Sequence, residues 1–340
     1  MNETGSGMSQ IQSFIDLYYK NFIEEDHEYF DLWHYTDING LMGVIRDEKD
    51  EYGNLHFWFT RSDYLNDTSE GSHIESLYAE KCLELCSDGT VSPEFYELIK
   101  DIEIPDDQVL NYPVPAQDKE SHVSRMASAP CHAYICSFCL KEDSLDMWRY
   151  YSDANSGYGL KCSKDLFREY ERYVYSDYDE NAVYCPIKAY KVVYDDERKA
   201  QLLREIISDA YSLFCNFDEP KEQMEEDIKV FIQYMLKMFR FRFKHQCYAS
   251  EQEYRFVAYV PYEKPEGLAN ELPVVEYRAQ NGILVPHIDL MVKDSDAMLE
   301  EILISPFLKD KSAVSTMEDY LKKCGVACGV RKSELPVRGE

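Results

Sequence analysis

The chain has 340 residues, enough for one large domain or two ordinary ones, and its 45% hydrophobic and 14% aromatic content supplies a sizeable core. A formal net charge of −28 disfavours nucleic acid as a partner, because binding a polyanion relies on Lys and Arg displacing counterions. Eleven Cys without a charged-then-apolar leader read as free thiols in a reducing, cytoplasmic compartment, and no run of about 18 apolar residues offers a membrane span.

Residues 1–10 are polar and small and are expected to be disordered; 11–340 read as a single α+β domain with a helical insertion at about 196–245. Residues 11–24 have helical spacing. The stretch 32–70 organises the rest. Residues 32–35 form an aromatic strand, Thr36 or Asp37 caps a short helix with Ile38, Leu41, Met42 and Ile45 inward, and 55–60 alternate as a second strand. Asn66 and Asp67 then precede a helix over 72–86. A short helix at 93–102 is followed by a proline-broken loop at 105–115. Residues 134–140 read as a buried strand, Ser144 caps a helix bearing Met147, Trp148 and Tyr151, and 158–162 form a strand. A helix from Ser163 to about 174 and a long strand at 182–194 are expected next. Two helices, 196–215 and 222–245, form the inserted pair and offer a face for a protein partner. The strand at 253–260 is strong; shorter strands at 273–277, 284–291 and 302–304, a helix at 309–324 and a strand at 326–330 close the chain.

Four groups of residues invite chemistry. His34 stands on the first strand beside Tyr35 and Thr36. Glu251 and Glu253 are two residues apart, which places them on one face of a strand with Arg255, as an edge ion pair or as carboxylates aimed at positive charge on a sugar ring. Asn66 or Asp67 with Glu70 fits a helix-capping arrangement. Trp148 and Tyr151 share a helix face, as core or as an aromatic shelf. Cys136-Ser-Phe-Cys139 has zinc-ligand spacing, but no second such pair follows and the segment reads as a buried strand, so no metal is expected.

These motifs, in this order, resemble the bacterial family catalogued as domain of unknown function 2971. The correspondences are His34-Tyr35-Thr36, Asn66-Asp67-Thr68 with Glu70, Met147-Trp148 with Tyr151 and the turn glycine Gly157, Glu251-Gln252-Glu253-Tyr254-Arg255, and finally Ser333 to Arg338. Thr68 stands where the family has proline, and Ser137-Phe138-Cys139 where it tends to Cys-Phe-Ser. More distantly, a strand bearing His, a short helix, an aromatic strand and a late strand bearing Glu is similar to ADP-ribosyltransferases. That resemblance implies two small, mostly antiparallel sheets split around a cleft, with flanking helices and the inserted pair. It implies NAD as the substrate. His34 with Tyr35 and Thr36 would orient it, Tyr64 or another nearby aromatic would stack on nicotinamide, and Glu253 would stabilise the oxocarbenium-like state, with Glu251 activating an unknown acceptor. Asn66, Asp67, Glu70, Trp148, Tyr151 and Arg255 would line the site, and Arg61, Arg149 and Arg255 would offset the phosphates. His34 and Glu253 are expected to be neighbours in one cleft. Such an enzyme suits a toxin or phage-defence effector. The competing readings are a metal-dependent nuclease-type hydrolase using Asp67, Glu70 and Glu253, and a non-catalytic sensor or interaction protein.

Overall fold

A computed structural model describes residues 30–47, 54–65, 72–104, 108–114, 125–152, 156–171, 183–216, 220–266, 268, 270–280, 282–293 and 295–337. The expected helix at 11–24, the 1–10 terminus, Asn66, Asp67 and Glu70 lie outside the described residues. Two compact units emerge.

One unit is drawn from Asp67–Asp106 and Lys191–Ala249 and is helical. Its long helices are α2 (Ser72–Ser87), α6 (Asp196–Asn216) and α7 (Lys221–Arg240), with the short α3 (Pro93–Ile99) between the first two in sequence. Each follows the 3.6-residue rule: Leu202, Leu203, Ile206, Ile207 and Ala210 on α6, and Ile228, Phe231, Ile232, Met235 and Phe239 on α7, are withdrawn from water. Ser92 caps α3, accepting from the Phe95 amide at 3.2 Å, and Pro93 occupies the first turn, where a missing N–H costs nothing.

The other unit, from Phe30–Asn66, Asp107–Tyr190 and Ser250–Glu340, holds the sheet. Its strands are β1 (Leu32–Thr36), β2 (Leu55–Arg61), β3 (Gln108–Val114), β4 (Arg125–Cys139), β5 (Tyr158–Cys162), β6 (Ile187–Lys191), β7 (Glu253–Pro261), β8 (Val275–Gln280), β9 (Ile283–Val292), β10 (Leu299–Ile304) and β11 (Gly329–Lys332). Its helices are α1 (Ile38–Val44), α4 (Leu145–Tyr150), α5 (Arg168–Glu171), α8 (Ser295–Met298) and α9 (Ala313–Cys324). The fold is α+β with a mostly antiparallel open sheet. The described strands join into one 11-stranded sheet, ordered β11-β10-β5-β1-β4-β2-β9-β8 with β3 and β7 also on β4, where two small sheets were expected.

Local expectations shift in instructive places. The proline-broken loop at 105–115 contains β3, whose ladder with β4 overrides its composition. The long strand expected at 182–194 contracts to β6. The helix expected after Ser163 begins as turns, and only α5 is helical there among the described residues. On α1, Leu41 and Val44 turn inward while Ile38 and Met42 stay exposed.

The fork in the sheet positions everything that follows. On one edge β4 carries β7 from Cys131 to Cys139. On its other edge β1 pairs only at Cys139 and β2 only at Tyr134 and Ile135. The two strands therefore diverge at residues 136–138.

The two faces differ in chemistry. Cross-strand partners point to the same side of a sheet. His34, Leu160 and Ile302 align on one side, with Phe57, Phe59, Phe138, Phe256 and Ile288 in the main core. Trp33, Cys139 and Glu253 align on the opposite side, where Tyr35, Met147, Trp148 and Leu303 form a second, smaller cluster. Gly159 sits in that cluster because a Cβ there would lie 3.4 Å from both Trp33 and Trp148.

Candidate functional site

Six of the residues singled out by sequence meet on the smaller-cluster face. Glu253 and Arg255 open β7, 5% and 1% exposed, and Arg255 Nε donates to Glu253 Oε2 at 2.5 Å. Glu251 closes a 3₁₀ turn, Gln246–Glu251, and accepts from the Tyr151 hydroxyl at 3.1 Å. Between the two acids Gln252 adopts φ +43°, a left-handed conformation that a side chain resists. This corrects the simple strand alternation expected for Glu251 and Glu253: a turn and a strained residue, not a continuous strand, aim the two carboxylates. Burial, then both carboxylates, push the Tyr151 phenol up, and Arg255 opposes them.

Trp148 is fully buried, and its indole N–H donates to Asp143 Oδ1 at 2.8 Å. Asp143 has φ +48° and also accepts from Ser333 Oγ at 2.7 Å. The Tyr35 hydroxyl donates to the Lys141 carbonyl at 2.9 Å and accepts from the Ser144 amide at 3.0 Å; burial raises its pKa, so it remains a donor. These bonds strap the turn after β4 to α4. Gly157 closes the same corner, since a Cβ would lie 2.0 Å from Ser152 Cβ. Burial pushes the Cys139 thiol up to about 11, which leaves it protonated and a poor nucleophile.

His34 does not join this group. Register parity is the reason: Trp33, not His34, faces Cys139 and hence Glu253, so the imidazole points to the other side of the sheet. It fills the fork there. Nδ1 donates to the Ser137 carbonyl at 3.2 Å, and the ring sits 5.2 Å from Phe138 and 5.7 Å from Phe57. Burial lowers its pKa, with the Ser137 carbonyl opposing, so the ring is neutral. The expectation of one cleft shared by His34 and Glu253 is therefore not met. Thr36 follows His34 on the main-core side, where it aligns with Tyr158 and Ile304.

Tyr64 lies in the 3₁₀ turn Ser62–Tyr64, beyond the end of β2. Arg61 pairs with Tyr134, five positions along β4 from the Glu253 partner Cys139, so roughly 17 Å separates the two ends by strand rise. The Arg61 guanidinium also covers the Tyr64 ring at 5.0 Å and binds Asp63 at 2.7 Å. Neither stands beside Glu253, so Tyr64 is not placed to stack on a ring held there. Arg149 is exposed on α4.

Sequence reading passed over a second polar group on the Glu253 face. A cross-strand row runs Val257, Ile135, Thr60, His287, Glu276. Beside it Arg278 Nη2 donates to Thr60 Oγ1 at 2.8 Å, with its guanidinium 5.6 Å from the Trp58 ring centre. Asp289 binds Arg46 and lies 3.3 Å from His56 Nδ1. The available signal was alternation on β2 and β8: Trp58 and Thr60 share a phase with His56 opposite buried Leu55, Phe57 and Phe59, and Arg278 shares one with Glu276 and Gln280, whereas the β9 phase of His287 is mostly apolar. A 230 Å³ depression lined by Asp165, Arg168, Tyr170 and Lys293 contains none of these groups. Among the described residues no cluster suits a metal ion, and no helix is long and apolar enough to cross a membrane.

Residues 147–256 match the family described as Protein of unknown function (DUF2971). The matched stretch supports the DUF2971 family, and it spans Trp148, Tyr151, Glu251, Glu253 and Arg255 but not His34. No curated protein and no solved structure matches the chain.

Proposed function

We propose that the Glu251–Glu253 corner breaks an N-glycosidic bond, with NAD as substrate, in the manner of an ADP-ribosyltransferase or an NAD glycohydrolase. One observation carries the reading. The strained residue Gln252 stands between two buried acids, one partnered by a guanidinium and the other by a phenol. Such strain costs on the order of 1–3 kcal/mol and persists where the surroundings over-determine a geometry, as at active sites. Different partners for two neighbouring carboxylates are also how one site assigns them different tasks.

In this reaction the bond between the nicotinamide nitrogen and ribose C1 breaks, and its electron pair leaves with nicotinamide. Glu253, held by Arg255, faces the positive charge that develops on the ribose. Glu251 takes the proton from water or from an acceptor hydroxyl as that oxygen bonds to C1. Trp148 and Tyr35 hold the wall from which Tyr151 reaches Glu251. His34 takes no part; it closes the fork. Full-length kinship with the DUF2971 family and a toxin or phage-defence role belong to the same reading.

The test is nicotinamide release from NAD by the purified chain, alone and with candidate acceptor proteins. Glu253→Gln is expected to abolish release and Glu251→Gln to lower it, each read on protein whose far-UV circular dichroism is that of the folded chain, while His34→Gln retains it. A wild-type chain that releases no nicotinamide under either condition overturns the proposal.

A further inference from the structure

We infer that Trp58, Thr60 and Arg278, backed by His287, form a binding site for a nucleoside diphosphate: an oxyanion for the guanidinium and a planar ring for the indole. In its link to NAD this deepens the reading above and rests on it, because the ADP half of NAD is the part that does not react.

Arg278 is the first reason. It is half-buried on β8 and reaches across β9 to Thr60 on β2. The chain holds 64 Asp and Glu. Even so, no carboxylate among the described residues pairs with Arg278; its partners are Thr60, Gln280 at 3.4 Å and the Trp58 ring. Nη1 is buried, with no hydrogen-bond partner among the described residues. Nearby charges are already engaged, since Asp289 binds Arg46 and His56. A withdrawn guanidinium with an unused arm of its donor fork is an oxyanion receptor, and its flat shape suits a phosphate.

His287 is the second. It is only 3% exposed, its ring lies 4.8 Å from the Trp58 ring, and an acid, Glu276, stands 3.7 Å from Nε2. Burial, then Arg278, lowers its pKa, opposed by the Val285 backbone, Glu276 and Asp289, so the ring is a neutral support behind the indole and adds no charge of its own.

The third is Trp58. Trp33 and Trp148 are buried, whereas Trp58 is 39% exposed, flanked by the Arg278 guanidinium and by the His287 ring at 4.8 Å. A half-exposed indole beside a cation offers stacking area and charge in one place. The site also shares its face with Arg255: Thr60 aligns with Ile135 and Val257, and Arg255 is the next residue of β7 on that side. Two strand spacings, about 10 Å, separate β2 from β7 there, and Glu253 lies four residues, about 13 Å, further along β7.

The experiment titrates the full chain with ADP, adenosine and inorganic phosphate, by calorimetry and by tryptophan fluorescence. Wild type should bind ADP more tightly than adenosine or phosphate, with quenching that disappears in Trp58→Phe. Arg278→Gln should weaken ADP at least tenfold, and Arg278→Lys, which keeps the charge but not the fork, should fall between. Glu253→Gln should bind ADP as wild type does. Absence of ADP binding by wild type, or equal binding by folded Arg278→Gln and Trp58→Phe, overturns the site. The two readings separate cleanly. ADP binding without nicotinamide release from NAD removes the catalytic reading alone, whereas release with an unchanged KM for NAD in Arg278→Gln removes this one alone.

Discussion

Arg255 and Arg278 stand on one face of one sheet, both withdrawn from bulk water, yet their surroundings are opposites. Arg255 has Glu253 at 2.5 Å, while Arg278 has an indole face, a hydroxyl and a buried nitrogen with no partner among the described residues. A buried ion pair is costly to assemble and costlier to break, so Arg255 and Glu253 hold each other in place. A cation that meets no carboxylate among the described residues gains nothing comparable from them, and it is the group that a bound anion would complete. Compensation marks the preorganised corner; its absence marks the receptive one.

Breaking the pair gives the largest expected effect. Glu253→Ala strands a buried guanidinium and should cost about 3–5 kcal/mol in denaturant-measured stability. A loss under about 1 kcal/mol, the range of exposed pairs, would mean that water reaches the pair and that the contrast with Arg278 fails. Next in size, Trp58→Leu removes the aromatic shelf under Arg278 and should cost about 1 kcal/mol, read in the same way. Arg278→Met should change ligand-free stability by less than about 1 kcal/mol, or raise it, since it deletes an uncompensated charge while keeping the aliphatic stem. A loss as large as that of Glu253→Ala would show a hidden partner.

The pH dependence sharpens the same comparison. His34 and His287 both have folded pKa values lowered by burial, below about 6.5 in the unfolded chain. Their contribution is fully present above that pH and is lost as pH falls toward the folded values, because the unfolded chain then binds the extra protons. Arg278 is a named cause of the His287 shift. Thermal melts of Arg278→Met between pH 7 and 5 should therefore lose less stability than wild type, whereas His34→Gln should remove the separate share that arises at the fork. Parallel profiles for wild type and Arg278→Met would disconnect His287 from Arg278.

Much of the local structure was legible. The apolar rhythm of α6 and α7, the β7 alternation, the Ser92 cap and the β1-α1-β2 succession all follow from periods of 3.6 and 2.0 and from capping chemistry within a few residues. Motif order puts Tyr35, Trp148, Tyr151, Glu251, Glu253 and Arg255 in one site together with His34, Thr36 and Tyr64; the first six share a face of the sheet and the last three do not join them. The strand in 108–114 was not legible, because its pairing with β4 outweighs its prolines and polar residues. Nor was the Arg278 corner, because a lone Arg in an exposed-looking strand carries no sign of which side chains will meet it across β9.

The sequence by itself determined the long helices α6 and α7, the apolar phases of β2 and β7, and that two acids and an arginine cluster at the start of β7. Tertiary structure alone decided which side of the sheet each phase met. Trp33 lies opposite Cys139, and with a period of two a shift of one residue would have turned His34 toward Glu253 instead. Pairing register is fixed by contacts between segments far apart in the chain, so no local rhythm encodes it.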